Sequence, residues 1–221
     1  MSITIYDTAN EQQRIDGVRT ARMALESGKI VCVPTGTTYA LVVNAFDPGA
    51  IARLRALRLM PPHSPLGVLV PSLATLDALA AELAPEVDAL VSAFWPGALG
   101  VIVPAGQSLA WDLGDSAGTV ALRMPDHPLL RDVLVDTGPL ALSGAYRVGE
   151  KPLVSLPAIA KKFGSDVTVY LREAGGKPGK TPSSVVDASL LGEPGGKLRL
   201  AREGAISLRE MQSVVPPGRW V

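Results

Sequence analysis

Short apolar segments recur along this chain, and several of them follow one another with no helical pattern between them. Segments of this kind, bounded by turn residues, are typical of β-strands. We predict strands at residues 3–6, 29–33, 39–45, 66–70, 99–103, 119–123, 140–143, 167–171, 184–188 and 198–201. Because helices separate only some of these strands, the sequence predicts an α/β fold with a mixed sheet rather than a strictly doubly wound one.

Local start and stop signals place the helices between these strands. We predict helices at residues 10–27, 48–59, 128–135 and 156–163, two short helices within 73–93, and a last short helix near residue 207. Asn10 can cap the first helix, and Gly164 ends the helix at 156–163. Ser207 can cap the last helix, with Glu210 in the capping-box position three residues later.

The composition indicates a globular chain, because 47% of the residues are hydrophobic and 19% are charged. Its 221 residues predict one domain, to which we assign residues 1–215, followed by a short tail at 216–221. Basic and acidic residues are equal at 21 each. This balance argues against non-specific nucleic-acid binding over the whole surface, while a local basic groove stays open.

Cys32 is the only cysteine of the sequence. This excludes a disulfide within the chain and a cysteine-based metal cluster, and its apolar neighbours predict a thiol packed in the core. Residues 1–7 lack the basic and apolar parts of a signal peptide, and no stretch approaches the about 20 apolar residues of a membrane helix. We therefore predict a soluble, cytoplasmic protein.

A hydroxyl-rich turn, Pro-Thr-Gly-Thr-Thr-Tyr-Ala at residues 34–40, follows the predicted strand that ends at Val33. Two interpretations are open for these residues alone. They can form a tight turn, in which Pro34 fixes φ and Gly36 supplies conformational freedom. They can also offer hydroxyl and backbone N–H groups to a polar ligand at the end of a strand.

Five further segments add to this turn. They are Trp-Pro-Gly at 95–97, Arg-Met-Pro at 123–125, Leu-Ser-Gly-Ala at 142–145, Ser-Ser-Val-Val-Asp at 183–187 and Arg-Glu-Gly at 202–204. Each alone is typical of turns and apolar strands. In this order and at these spacings, the chain resembles the YrdC family, the threonylcarbamoyl-AMP synthases, over about residues 16–211.

The resemblance implies a twisted, mixed α/β sheet flanked by helices around a concave cavity. It also implies a nucleotidyltransferase that binds ATP with Mg²⁺, L-threonine and bicarbonate, forms threonylcarbamoyl adenylate and releases pyrophosphate. A partner enzyme then transfers the threonylcarbamoyl group to an adenosine beside the tRNA anticodon. Mg²⁺ would enter with ATP, and we predict no metal site formed by protein side chains.

The resemblance also implies roles for individual residues. Arg58 is the expected catalytic residue. The expected substrate-binding residues are Thr35, Thr37, Tyr39, Arg123 and Ser183. The expected nucleotide-binding residues are Arg58, Ser143, Arg147, Ser184 and Arg202.

The sequence departs from the family pattern at several of these motifs. The Asp and the last Gly of the family turn Pro-Thr-Asp-Thr-x-Tyr-Gly are Gly36 and Ala40 here. The family motif Lys-x-Arg is replaced by Arg58 and Met60, and a further family Lys is Ser64. The family's Ser-Ala-Asn reads Ser-Gly-Ala at 143–145. The changes remove a carboxylate, an amide and part of the positive charge, and an Arg in place of a Lys also changes the shape of the charge.

These departures leave three hypotheses open. The first is an active synthase with a rebuilt cavity, in which other cationic residues substitute. Candidates for this substitution are His63, Arg147, Lys151, Lys177 and Lys180. The second is a divergent paralogue with the YrdC fold that binds a nucleotide or an RNA end without that reaction. The third is an interaction module without a small-molecule ligand. Separately, the Gly- and Lys-rich loop at 175–182 can be either a mobile lid or a linker, and the sequence leaves both open.

Overall fold

A computed structural model describes residues 3–106, 111–175 and 179–221. Ten strands lie within these ranges: β1 (Thr4–Asp7), β2 (Val31–Pro34), β3 (Tyr39–Asn44), β4 (Gly67–Leu69), β5 (Leu99–Pro104), β6 (Thr119–Arg123), β7 (Leu140–Gly144), β8 (Val169–Arg172), β9 (Ser184–Asp187) and β10 (Arg199–Arg202). Each predicted strand is confirmed, with ends that shift by at most two residues.

Seven α-helices lie within the same described ranges: α1 (Glu11–Glu26), α2 (Pro48–Leu57), α3 (Leu73–Leu79), α4 (Pro85–Phe94), α5 (Pro128–Thr137), α6 (Leu156–Phe163) and α7 (Leu208–Gln212), the last of which follows β10. The Asn10 side chain accepts a hydrogen bond from the backbone N–H of Gln13, and Ser207 and Glu210 form the predicted capping box. The local signals for these helices are therefore confirmed.

All ten strands form one sheet in the order β1-β8-β2-β3-β7-β4-β6-β5-β9-β10. Four pairings are parallel: β1 with β8, β2 with β8, β4 with β6 and β5 with β9. The other five are antiparallel. The prediction of a mixed α/β sheet is confirmed.

The two faces of the sheet are covered differently. Helices α1 and α5 bury one face near β2, β3 and β8, where Val31, Val42 and Val169 pack beneath them. A larger core on the opposite face contains Ile51 of α2 and Ile159 of α6. Cys32 lies in this larger core with no exposed surface, as predicted, and burial raises the pKa of its thiol.

One half of the first face stays open. On strands β7, β4, β6, β5 and β9, alternate side chains are half-exposed, whereas their chain neighbours are buried. The register pairs Gly67 with Leu142 and Ile102 with Ala121, so these four residues share the open face with Val185. A sheet that is buried on one side and open on the other provides a floor for a ligand.

The C-terminal segment packs against the rest of the chain. Leu198 forms a parallel bridge with Trp220, whose indole N–H donates to the carbonyl of Val215 at 3.0 Å. Trp220 is buried in the larger core. In the part of the chain that the structure describes, no helix combines the length and the apolar character needed to span a bilayer.

Candidate functional site

A cavity of about 340 Å³ lies on the open half of the sheet. Its floor is formed by small residues of four strands, Gly67, Gly100, Ala121 and Gly144, and the short side chains leave room above the sheet. Polar residues from distant parts of the sequence surround this floor. They are Arg58, Arg123, Ser143, Tyr146, Ser183 and Arg202.

Arg58 follows the end of α2 and is held by the segment after β7. Its Nε donates to the carbonyl of Tyr146, and its Nη1 donates to Oγ of Ser143. Its Cζ lies 4.6 Å from the centre of the Tyr146 ring. Met60 completes this side of the cavity, with Sδ 3.6 Å from Oγ of Ser143 and 3.8 Å from Nη1 of Arg58.

Arg123 at the end of β6 connects the cavity to the turn at residues 34–40. Its Nη1 donates to Oγ1 of Thr37 at 3.1 Å, and its Nη2 donates to the carbonyl of Thr35 at 2.9 Å. Its Nε donates to the carbonyl of Gly97 at 2.8 Å. The Thr35 hydroxyl stays within the turn, because Oγ1 donates to the carbonyl of Thr38 at 2.8 Å.

Arg202 and the start of β9 form the third side. Nε and Nη2 of Arg202 donate to the carbonyl and Oγ of Ser183, at 3.0 and 3.1 Å. The next residue, Ser184, is fully buried and holds the loop at 204–206. At Gly204 an added Cβ would lie 2.6 Å from the Ser183 carbonyl oxygen, so the close approach of these two segments requires glycine.

The electrostatics of the cavity are set by arginines that lack acidic partners. Burial, and secondly the charge of Arg202, lower the pKa of Arg123 to about 10. Burial also lowers the pKa of Arg58. Within the described residues, no carboxylate lines the cavity and no ion pair involves these three arginines. Arg58 and Arg123 are buried and Arg202 is exposed at the cavity. Positive charge that is partly buried and has no counterion favours an anionic ligand.

The structure therefore brings five of the predicted site residues to one cavity: Arg58, Arg123, Ser143, Ser183 and Arg202. Thr37 reaches the cavity through Arg123, and Thr35 lies behind it in the turn. Ser184 and Tyr39 are buried and do not line the cavity, and the Tyr39 hydroxyl accepts from the backbone N–H of Glu173 at 3.0 Å. Arg147 is half-buried and outside the cavity lining.

The proposed substitutes for the missing family charges lie elsewhere. His63, Lys151 and Lys180 are exposed and do not line the cavity. Lys177, with Gly176 and Pro178 of the loop at 175–182, lies outside the described residues. At the described end of this loop, an added Cβ at Gly179 would be 2.6 Å from the Thr37 carbonyl oxygen, so the loop touches the 34–40 turn.

The departure at Gly36 has a local structural reason. Gly36 has a φ of 78°, a conformation that favours glycine, and an added Cβ would lie 2.9 Å from the carbonyl oxygen of Asp126. The Asp that the resemblance expects at this position would therefore require a different turn. Glycine at position 36 thus sets the shape of this turn and also removes the carboxylate that the resemblance expects there.

The sequence interpretation missed the floor of the cavity and the ring of Tyr146. The signal for the floor was present: Gly67, Gly100 and Ala121 interrupt apolar strands at positions that face the same side. Such residues mark places where another group approaches the backbone closely. No pattern signals Tyr146, because its role depends on a contact with a residue 88 positions away.

Metal ligands are absent from this site in the described residues. These residues contain no group of three or more His, Cys, Asp or Glu that could hold a metal, and the cavity lining offers only hydroxyl and carbonyl oxygens. Mg²⁺ in proteins usually takes at least one carboxylate together with phosphate oxygens. The residues present do not fit a Mg²⁺ ion bound by the protein alone.

Comparison with known proteins gives consistent matches. The Sua5/YciO/YrdC family, described as "Telomere recombination", matches residues 23–204. A Mycobacterium tuberculosis protein named "Putative threonylcarbamoyl-AMP synthase" is 37% identical over 210 residues, which cover 95% of this chain and 94% of that protein. The Bacillus subtilis threonylcarbamoyl-AMP synthase is 30% identical over 199 residues, with 89% of this chain and 56% of that protein covered.

Solved structures extend these matches to the fold. Pyrococcus abyssi Sua5 complexed with L-threonine is 27% identical and superposes with a TM-score of 0.85, covering 100% of this chain and 63% of that chain. Escherichia coli YciO has a TM-score of 0.80 at 20% identity, with 96% and 100% covered. Our chain thus spans less than two thirds of the archaeal Sua5 chain.

Proposed function

The chain belongs to the Sua5/YciO/YrdC family, and we propose that it makes L-threonylcarbamoyladenylate from ATP, L-threonine and bicarbonate. Relatives with the name threonylcarbamoyl-AMP synthase support this proposal, as does the L-threonine bound by the archaeal Sua5. We further propose that the product serves tRNA modification in the cytoplasm, where a partner enzyme passes the threonylcarbamoyl group to tRNA.

The observation that carries the proposal is the convergence of Arg58, Arg123 and Arg202 on one cavity whose described lining contains no carboxylate. The reaction brings a threonine carboxylate, a carbamate and a triphosphate together, and their negative charges repel one another. Arginines with free N–H groups offset this repulsion and offer two parallel hydrogen bonds to a carboxylate or a phosphate.

The reaction divides into two steps. The threonine amine and bicarbonate combine to a carbamate with loss of water. A carbamate oxygen then attacks the α-phosphorus of ATP, the bond to the β-phosphate oxygen breaks, and pyrophosphate leaves. Mg²⁺ enters as part of the MgATP substrate, and the described cavity residues contribute no carboxylate to it.

The roles predicted from the resemblance divide the cavity into a threonine side and a nucleotide side. We assign the threonine side to Arg123 and Ser183, with Thr35, Thr37 and Tyr39 forming the turn that supports Arg123. We assign the nucleotide side to Arg58, Ser143 and Arg202, with Ser184 and Arg147 behind them. Arg58 acts as the catalytic residue that stabilises charge on the phosphoryl oxygens.

A second candidate is a divergent paralogue that binds a nucleotide or an RNA end without this reaction. Met60 favours it, because the thioether lies beside both Arg58 and Ser143 at a position where the resemblance expects a cation. A soft, neutral sulfur cannot offset the charge of a phosphate. This candidate predicts saturable nucleotide binding without turnover.

Pyrophosphate release tests both candidates. With the full chain, MgATP, L-threonine and bicarbonate, we expect release that requires threonine and bicarbonate. Arg202→Met is expected to lower kcat/KM by about tenfold or more, because it removes a charged contact. Arg199→Met is the matched control, since Arg199 lies on the same strand but pairs with Asp187 at 2.7 Å. A folded protein that binds ATP but releases no pyrophosphate contradicts the proposal and supports the second candidate.

A further inference from the structure

Tyr146 belongs to no motif of the sequence, yet it lines the cavity. It is the only aromatic residue among the described residues of the lining. It stands two positions after Gly144, the last residue of β7, and its backbone N–H donates to the Gly144 carbonyl at 2.9 Å. The chain therefore turns sharply here and carries the ring back toward the cavity.

Three contacts join this segment to Arg58. The guanidinium Cζ lies 4.6 Å from the ring centre of Tyr146, within the range of a cation–π interaction. Nε of Arg58 donates to the Tyr146 carbonyl. In the opposite direction, the backbone N–H of Val148 donates to the carbonyl of Arg58 at 2.9 Å. Together these contacts fix both the backbone and the side chain of Arg58.

The position of the ring depends on Gly144. An added Cβ at Gly144 would overlap Cε1 of the ring and lie 3.1 Å from Cδ1. The φ of Gly144 is not in the left-handed region, so the requirement is for space rather than for backbone freedom. Gly144, Tyr146 and Arg58 thus form one set, in which the ring occupies the volume that a larger residue at 144 would take.

The choice of arginine at position 58 fits the same set. A planar guanidinium can stack on a ring while it donates hydrogen bonds in its own plane, whereas a lysine ammonium is a compact point charge. Among the described residues, an aromatic ring, a carbonyl and a hydroxyl hold the side chain and no carboxylate pairs with it, so the positive charge stays available. Nη2 of Arg58 makes no hydrogen bond to any described residue.

The geometry points to Tyr146 as a positioning residue, whose ring holds the Arg58 guanidinium against Ser143 in the one orientation that receives the anionic part of the nucleotide. This role rests on the proposed function for the identity of the ligand. In this role the Tyr146 ring contributes to ATP binding only through Arg58, so its contribution requires an arginine at position 58.

A double-mutant experiment tests this role. We expect Tyr146→Leu to weaken ATP binding about tenfold, because the stacking contact is lost. Tyr146→Phe restores a ring and is expected to recover that loss. In an Arg58→Lys background, Tyr146→Leu is expected to add less than about twofold, since the coupled partner is already gone. Phe46→Leu is the control, because Phe46 stacks on Trp111 outside the cavity.

A second measurement does not depend on ATP. Phenylglyoxal modifies accessible guanidinium groups, and mass spectrometry gives the rate of modification at Arg58. We expect slow labelling in the wild type and in Tyr146→Phe, and faster labelling in Tyr146→Leu and in Gly144→Ala, which displaces the ring. Gly144→Ala also serves if the leucine variant does not fold.

Equal labelling of Arg58 in all folded variants overturns the positioning role. An effect of Tyr146→Leu that is as large in the Arg58→Lys background as in the wild type also overturns it, as does a phenylalanine variant that recovers nothing. If the wild type binds no ATP, the proposed function is contradicted, while the labelling rates still decide whether Tyr146 positions Arg58.

Discussion

At the scale of single residues, two neighbouring serines at the start of β9 have different surroundings. Oγ of Ser184 donates to the carbonyl of Ile206 at 2.5 Å and accepts from the backbone N–H groups of Gly204 and Ile206, at 2.8 and 3.1 Å. Oγ of Ser183 accepts from Arg202 and lines the cavity. One hydroxyl thus ties a loop to the sheet, and the other is available to a ligand.

This difference predicts that the same substitution has different effects at the two positions. Ser184→Ala should lower the free energy of unfolding by about 1–3 kcal/mol, because it leaves buried backbone groups without partners. Ser183→Ala should lower it by less than about 1 kcal/mol and weaken L-threonine binding about threefold to tenfold. Urea unfolding and equilibrium L-threonine binding of the two variants check this. Equal losses of stability would contradict the assignment.

The same scale explains which residues the sequence could predict. Asn10, Gly164 and the pair Ser207 and Glu210 act on backbone groups a few positions away, so their roles follow from local chemistry. Gly36 is different. Its neighbour across the turn, the carbonyl of Asp126, is 90 positions away in the chain, and no local rule indicates that contact.

At the scale of elements, the positions of the strands along the sequence were predictable, but their order in the sheet was not. Apolar runs and turn residues locate β1 and β8, yet their pairing joins Thr4 to Val169 across most of the chain. Such pairings depend on the whole packing and leave no mark on either strand. The gathering of Arg58, Arg123 and Arg202 was therefore predicted only through the family resemblance, which carries the topology with it.

The side of β6 that faces the cavity gives a prediction about the cavity floor. Ala121 is half-exposed and forms part of the cavity floor, while its neighbours Val120 and Leu122 are buried. Ala121→Leu should fill the cavity and weaken ATP binding more than about tenfold. The free energy of unfolding should change by less than about 1 kcal/mol, because the new side chain points away from the core.

Calorimetric ATP titration and urea unfolding measure the two quantities. Ala201→Leu is the matched control, because Ala201 is an exposed alanine on β10 and does not line the cavity. If Ala121→Leu binds ATP as tightly as the control, the cavity on this face is not the nucleotide site.

At the scale of the molecule, the charge of the site comes from arrangement and not from composition. The chain has a formal net charge of +0. This balance is compatible with a local basic groove but does not indicate where the groove lies. In the folded protein, acidic residues pair with other cations, such as Arg14 with Asp132 and Arg219 with Glu86. The three cavity arginines are left without such partners among the described residues, and the sequence alone could not show this.

An anion that enters the cavity should therefore stabilise the whole protein. Arg123 and Arg202 repel each other in the free state, and pyrophosphate can accept hydrogen bonds from both. At 100 times its Kd, a ligand adds about 2.7 kcal/mol to the free energy of unfolding. For a domain of this size that corresponds to a rise of roughly 5–11 °C in Tm. Sodium chloride at the same ionic strength should give a much smaller rise.

Differential scanning fluorimetry of the wild type and two variants measures this effect. Arg202→Met should lose most of the pyrophosphate shift, because it removes one of the positive groups that line the cavity. Since Arg202 is exposed, its replacement leaves the core intact. Arg199→Met, on the same strand and outside the cavity, should keep the shift. An equal pyrophosphate shift in both variants would mean that the anion binds elsewhere on the surface, and the cavity would then not be the anion site.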